Sequence, residues 1–511
     1  MTLSEFEKQR QANIERNKKL LNSLNLNNIS GEISKSIFKV QKNQEQAKRV
    51  KKEKKLAKPK VEKVSIPTRR SRRLAGVSID GDDEKRKLFD AEQERINREK
   101  AEFESLKKVR INGDLSLIDL VKEEGEGELS AEKIQLLLKN SKSFSVGDYY
   151  EMIAKKENSS KDVKELREEF SNKVLYDQWV PNQLKLTKER MSYITFHPSN
   201  TEKIVIGGDI SGHFGIFNAG NQEDIDITNF KLHGNNISKI EFDMKDLTKV
   251  YTASYDGSIR LIDLEKFKSE QFFINSFDSG FSDIQIYDNS LTYVNKNGKF
   301  GRLDLRTGKP SHDVLRLSNK KIGGFTINPN NSNLVATGSL DRSLKVWDTR
   351  YIKKCDWTDW DDDLKTCANL LSYDSRLSVS NVDWNNSNDL VCNGYDDTVN
   401  IFNLTDSQLS YNSKLKEIPK LDPQKTIKHN CQTGRWCSIL KARWQKFPRD
   451  THEKFIIGNM TKAFDIYDNK GHQLAHLKDP LMTNVPAVCN LHPTENWICG
   501  GGASGKVYLF S

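Results

Sequence analysis

The run Leu334 to Arg350, LVATGSLDRSLKVWDTR, constrains the fold more than any other part of the chain. Two apolar runs, Leu334–Ala336 and Leu344–Trp347, flank a turn that carries Gly338 and Asp341. Alternation with a period of two on either side of a turn reads as two paired strands. The Trp347-Asp348 ending after such a hairpin is the cue for one blade of a β-propeller.

The same unit recurs through the C-terminal two-thirds. Each copy is an apolar strand, a turn, a second strand, a tight turn with Gly or Asp, and a third strand ending in an aromatic or aliphatic pair. The first copy is Tyr193–Pro198, Ile204–Asp209 and Gly215–Phe217; the second is Ile237–Phe242, Val250–Tyr255 and Ser258–Leu264. The third is weaker: Phe281–Ile286, Leu291–Asn295 and Lys299–Leu305. Ile322–Asn328 leads the fourth, and Val379–Trp384, Asp389–Gly394 and Asp397–Leu404 make the fifth. The sixth is Ile439–Trp444, Phe455–Gly458 and Ala463–Asp468; the seventh is Ala487–His492, Trp497–Gly502 and Lys506–Phe510. Most copies recur at about 41–45 residues, with insertions near Tyr351–Ser378 and Thr405–Gln432. One small sheet cannot bury both its faces, so the sheets stack around an axis. The expectation is an all-β, seven-bladed propeller over residues 171–511. The seventh copy stops at its third strand, so the segment Val174 to Arg190 is expected to supply the fourth and close the ring.

Residues 1–170 read differently. Residues 1–80 hold 21 Lys/Arg against 8 Asp/Glu, a net +13 within a whole-chain +10. Leu3–Leu26 reads as a short amphipathic helix, and the Lys-rich Gln41–Lys63 has too few aliphatics to fold. Helices are expected within Asp82–Arg110, at Ala131–Leu138 and within Lys155–Lys173. The stretch is thus a basic, partly helical and largely disordered arm with no core of its own. Arg69, Arg70, Arg72 and Arg73 surround Ser71 in a compact cationic motif. Such a motif neutralises phosphates or directs nuclear import; a solvated charge run is the other reading. The basic arm on a near-neutral body points to a polyanion, nucleic acid first.

Seven cysteines with no CxxC or His/Cys ligand spacing argue against a disulfide framework or a zinc site, and for a reducing compartment. The N-terminus has no apolar signal core and no run is long enough to cross a bilayer, so a soluble intracellular chain is expected, with no membrane partner. Asp256, Asp341 and Asp396 fall in tight turns, where a carboxylate accepts backbone N–H groups. His197 and His492 precede prolines and read as turn contacts. No nucleophile elbow, metalloprotease, P-loop or paired-carboxylate pattern survives, so no catalytic residue, metal or cofactor is expected.

Several segments together resemble the fungal WD-repeat DNA damage-binding proteins, relatives of the smaller, propeller subunit of the UV-damaged-DNA-binding complex. They are PTRRSRRLAG in the arm, IVIGGDISGHFGIF, TASYDGSIRLIDL and VATGSLDRSLKVWDTR in three blades, and HNCQTGRWCSILKARW before the sixth. The resemblance implies a propeller that binds double-stranded DNA, prefers UV-damaged duplex and works in the nucleus on chromatin, as a monomer.

The candidate site is the loop from Ile427 to Trp436. Trp436 or Gln432 is suited to wedge into an unstacked base step, with Arg435 and Lys428 on phosphates. Packing of Arg435 and Trp436 inside the ring is the other reading. The resemblance aligns Lys320 and Lys321 with a phosphate-contacting loop; Arg190 and Lys188, before the first copy, are expected on the same face, with ordinary surface lysines as the other reading. The aromatic-Gln-His triplet that the related animal subunit carries in its inserted loop is absent from this chain. Lys441 and Arg443 alternate with apolar neighbours, one of them expected to face the central channel. A competing function is an adaptor: Trp347, Asp348 and Arg350 fit the WDxR signature by which some propellers dock onto cullin-type ubiquitin ligase adaptors. Histones and other chromatin proteins are further partners such a face would take.

Overall fold

The computed structural model describes parts of 94–122, all of 127–140, and 163–511 apart from 221–223, 276–279, 311–313, 356–363 and 413–416. The expected helix Leu3–Leu26 and the motif Arg69, Arg70, Arg72 and Arg73 lie outside the described residues.

The starting hairpin forms as its alternation predicts. Leu334–Ala336 pairs antiparallel with Val346–Asp348. Alternate residues leave on opposite faces. Leu334, Ala336, Leu344 and Val346 pack with Val379, Val382 and Trp384 of the next sheet. Val335 and Trp347 pack with Val294 and Phe300 of the preceding one. Each sheet is therefore buried on both sides, which is why its middle strands read as nearly continuous apolar runs.

Among the described residues the strands form six sheets; the eight-stranded one joins the third and fourth copies through a parallel pairing of Leu315 with Lys365, and apart from that link the antiparallel sets are consistent with the seven copies. Their first strands are Met191–Phe196, Ile237–Asp243, Phe281–Tyr287, Ile322–Asn328, Val379–Trp384, Arg443–Trp444 and Val488–Leu491. Each lies beside the next, and the last lies beside the first. The sixth is shorter than the expected Ile439–Trp444, because Ile439–Ala442 runs without ladder bonds into the ring.

The seam closes as the sequence implies. Leu175 bridges Phe510 and Lys185 bridges Lys506, both antiparallel. Tyr176 N–H donates to the Leu509 carbonyl at 2.8 Å, and Val507 N–H to the Leu184 carbonyl at 3.0 Å. Leu184, Leu186, Val507 and Leu509 share one core.

Histidines tie blades together. His197 accepts the Ser199 N–H at Nδ1 and donates from Nε2 to the Leu247 carbonyl of the second blade. His492 uses the same tautomer, donating from Nε2 to the Ser199 carbonyl at 2.9 Å across the seam. Asp256 accepts from Ser258 N–H at 2.9 Å and Gly234 N–H at 2.9 Å, and Asp341 accepts from Ser343 N–H at 3.0 Å. In the fifth blade the backbone-binding role passes to Asp397, which accepts the Cys431 N–H, while Asp396 takes the Ser375 hydroxyl.

Segments from the sequence assigned to the arm also lie on the ring. Helix α1 (Leu117–Lys122) and helix α2 (Gly127–Asn140) follow a two-residue strand, Leu115–Ser116, that adds a fifth strand to the second sheet. Leu117, Val121, Ala131 and Ile134 enter the core between the first two sheets. Helix α3 (Val163–Ser171) buries Leu166 and Phe170 with Leu474, Leu491 and Phe510. These stretches have no core of their own, yet they complete the ring's.

Candidate nucleic-acid interface

Antiparallel order puts two kinds of connection at one end of the ring: the tight turns between second and third strands, and the leads into each first strand. The Ile427–Trp436 loop lies at this end, between the strand Lys425–Lys428 and the first strand of the sixth blade. Its base is buried. His429 sits 3.3 Å from Asp465, and its Nδ1 lies 3.7 Å from the Cys431 sulfur. The pair resembles a Cys-His dyad, but burial pushes the Cys431 thiol up to about 12, so it is no nucleophile.

Beyond that base the loop is pinned from two sides. The Gln432 side-chain amide donates to the Tyr395 carbonyl at 2.6 Å and to Asp397. Arg190, in the lead to the first blade, donates to the Arg435 carbonyl at 2.6 Å. The Ser438 hydroxyl donates to the Met191 carbonyl. Gly434 takes φ 59° between these anchors, a left-handed conformation that suits glycine. Trp436 then projects with 83% of its surface exposed. It does not pack inside the ring, and neither does Arg435, which is also exposed. Trp436 is the most exposed of the large hydrophobic side chains among the described residues.

The anchoring divides the expected site residues. Lys428, Arg435 and Trp436 are all exposed, Arg435 and Trp436 adjacent in sequence and Lys428 at the other end of the loop. Gln432 and Arg190 are engaged in holding the loop. Lys320 is exposed on the lead to the fourth blade. Lys321 beside it donates to the Tyr255 hydroxyl at 2.7 Å and lies 4.8 Å from the centre of that ring. Lys296 approaches the same ring at 5.5 Å. Tyr255 and Lys296 escaped the sequence reading. Their only signal is that both fall in the turns between second and third strands. Arg342, Arg376 and Lys462 also stand exposed in turns or leads at this end.

One of Lys441 and Arg443 is expected to face the channel; both contact first strands of other blades. Lys441 faces Asp283 at 3.9 Å and donates to the Gly323 carbonyl. Arg443 stacks on Tyr193 at 4.4 Å. Burial pushes the Lys441 ammonium down to about 7 despite Asp283. The adaptor residues are mostly internal. Trp347 is buried with its indole N–H on Thr337, and Asp348 is buried. Only Arg350 is presented, in a two-point pair with Asp348 at 3.0 and 2.7 Å. Among the described residues no group of three His, Cys, Asp or Glu is placed to hold a metal ion, and no helix is long and apolar enough to cross a membrane.

The WD domain, G-beta repeat family matches residues 311–348, the stretch that holds most of the fourth blade. Along its whole length the chain is similar to proteins named DNA damage-binding protein CMR1. That of Meyerozyma guilliermondii is 42% identical, with 100% of both chains covered. That of Scheffersomyces stipitis is 42% identical over 99% of both. That of Candida albicans is 38% identical over 100% of both. With 38–42% identity over 99–100% of each, the chain belongs to the fungal WD-repeat family of DNA damage-binding proteins.

Proposed function

We propose that this protein binds double-stranded DNA with the loop end of its ring, prefers UV-damaged duplex, and acts as a monomer in the nucleus. The observation that carries the reading is Trp436, 83% exposed on a loop held from both sides and flanked by Arg435. Arg435, Lys428 and Lys320 hold phosphates, which fixes register without reading sequence. Trp436 enters a base step as an aromatic wedge. A lesion has already weakened stacking there, so the unstacking cost of a few kcal/mol is partly met before binding. That difference is the source of the preference for damage. Arg69, Arg70, Arg72 and Arg73 add a sequence-independent phosphate contribution. The printed name of the relatives supports the reading. No catalysis is proposed.

The test is binding to intact and irradiated duplex across salt, with Arg435, Trp436, Lys320 and Lys321 each replaced by Ala. Loss of a phosphate contact flattens the plot of log affinity against log salt by about 0.9 per contact. Trp436→Ala should narrow the gap between the two duplexes instead. Unchanged affinity for both, with binding abolished by removing residues 1–80, would show that the ring is not the reader.

A second reading is a WD-repeat adaptor or chromatin scaffold, such as a substrate receptor of a cullin-type ubiquitin ligase. It is favoured by the half-exposed Arg350, fixed by Asp348 beside the stacked pair Tyr351 and Tyr411 at 4.1 Å. Arg350→Ala should release a ligase adaptor in a pull-down while DNA binding stays intact.

A further inference from the structure

The opposite end of the ring carries the turns that join first to second strands. There they enclose a cavity of about 480 Å³, within the size range of ligand sites. Met244, Ile286, Tyr287 and Phe447 form apolar walls and are each only half-buried. Three carboxylates join the lining: Glu241, Asp243 and Asp288. So do two lysines, and both already have anionic partners. Lys245 pairs with Asp288 and also donates to Asn289, and Lys446 pairs with Asp383 at 3.1 Å. Asp243 accepts the Lys245 backbone N–H at 2.9 Å.

Glu241 is half-buried on the first strand of the second blade. Its nearest cation is Lys239 at 3.6 Å, and Lys239 is shared with Asp283 at 3.5 Å. Burial pushes the Glu241 carboxyl above its ordinary range, with Lys239 pulling the other way. A carboxylate in partly desolvated, aromatic surroundings gains most from an arriving cation. The cavity thus combines apolar walls with three carboxylates against two lysines. A phosphate-bearing ligand is disfavoured by that balance, and a purely aliphatic one leaves Glu241 with only the Lys239 that it shares with Asp283.

We propose that this cavity receives a lysine or arginine side chain from a peptide segment of a protein partner. The alkyl stem lies along Met244, Tyr287 and Phe447, and the charge meets Glu241 and Asp243. Long cationic side chains present this apolar stem and charged tip. The site is independent of the DNA-binding loops, so a peptide and a duplex can be held together on opposite ends of one ring.

The test uses the full chain and an array of nonamer peptides. Each peptide has Lys, Arg, norleucine or Glu at its centre and varied apolar flanks. Lys- or Arg-centred peptides should be retained at least about tenfold above their norleucine and Glu counterparts. For the best of them, a fluorescence anisotropy titration should show roughly tenfold weaker binding to Glu241→Gln and to Met244→Lys. Melting temperature and affinity for irradiated duplex should not change in either variant. Should one variant fail to fold, Tyr287→Ala takes its place in the same titration. Three results would overturn the proposal: no cation-dependent retention, folded variants that bind the peptide as the parent does, or displacement of the peptide by duplex DNA.

Discussion

The guanidinium of Arg190 donates to the backbone carbonyl of Arg435 across 2.6 Å, joining the lead of the first blade to the loop before the sixth. The loop's backbone is thereby fixed while the Trp436 side chain stays free. Preorganisation of this kind lowers the ordering cost of binding. Arg190→Ala should therefore weaken binding to irradiated duplex by about three- to tenfold and narrow the preference for damage. The salt slope should fall by less than one phosphate contact, and Arg190→Lys should recover part of the loss. Parallel titrations on both duplexes at several salt concentrations check this.

Acid should loosen the ring in two stages. Burial pushes His197 down to about 4 and His492 down to about 3, from an ordinary 6.5. Both are neutral in the folded ring and protonate first in the unfolded chain. The unfolded state then binds more protons, so stability is flat above pH 6.5 and falls from there towards pH 4. The loss is on the order of 3 kcal/mol for each histidine. Asp256 acts in a lower window. Burial raises its carboxyl, but His233, the Ser258 hydroxyl and the Gly234 amide hold it well below the usual carboxylate range. Its contribution is present above pH 4 and is lost below that. Urea midpoints measured from pH 8 to pH 3.5 should show the histidine stage first.

The seam predicts a sharp sensitivity at the last strand. Removing Ala503–Ser511 deletes the partner of Leu175 and Leu184 and should abolish soluble folded protein. Phe510→Ala is milder. Phe510 is buried against Phe464, and its loss should cost about 3–5 kcal/mol. Solubility on expression and thermal melting decide both, and an unchanged melting curve after the deletion would refute the closure.

Arg260 should govern how firmly the segment before α1 is held. It is fully buried in the second blade, yet its guanidinium donates to the carbonyls of Ile111 at 3.0 Å and Gly113 at 2.9 Å. Arg260→Met keeps the bulk and removes those bonds, at a cost of about 2–4 kcal/mol. Limited proteolysis should then cut within residues 106–122 well before the ring itself, while DNA affinity stays within about twofold.

Strands buried on both faces were the most legible in the sequence. Ile204–Asp209 and Asp389–Gly394 are buried throughout and read as apolar runs bounded by turns. The outer fourth strands were not legible. Asp226–Lys231 buries only Thr228 and Phe230, and Lys425–Lys428 has no buried residue, so the core-facing pattern is thin in one and absent from the other. The docked helices were missed as part of the ring for a related reason: Leu117, Val121, Ala131 and Ile134 are few apolar marks in a charged stretch, and what they pack on lies elsewhere in the chain. At the candidate site, the loop around Trp436 was visible from its residue types. Its clamps were not, because Arg190 and Arg435 are 245 positions apart and Gln432 and Tyr395 are 37 apart.

The pairing of Leu175 with Phe510 has a consequence for synthesis. At ribosomal rates of about 5–20 residues per second, the earlier strand waits on the order of tens of seconds for its mate. Throughout that interval the nascent blades form an unsealed arc with an unpaired edge at one end. Quality-control chaperones have this window in which to shield the edge, and a message cut short inside it yields a chain with nothing to seal it.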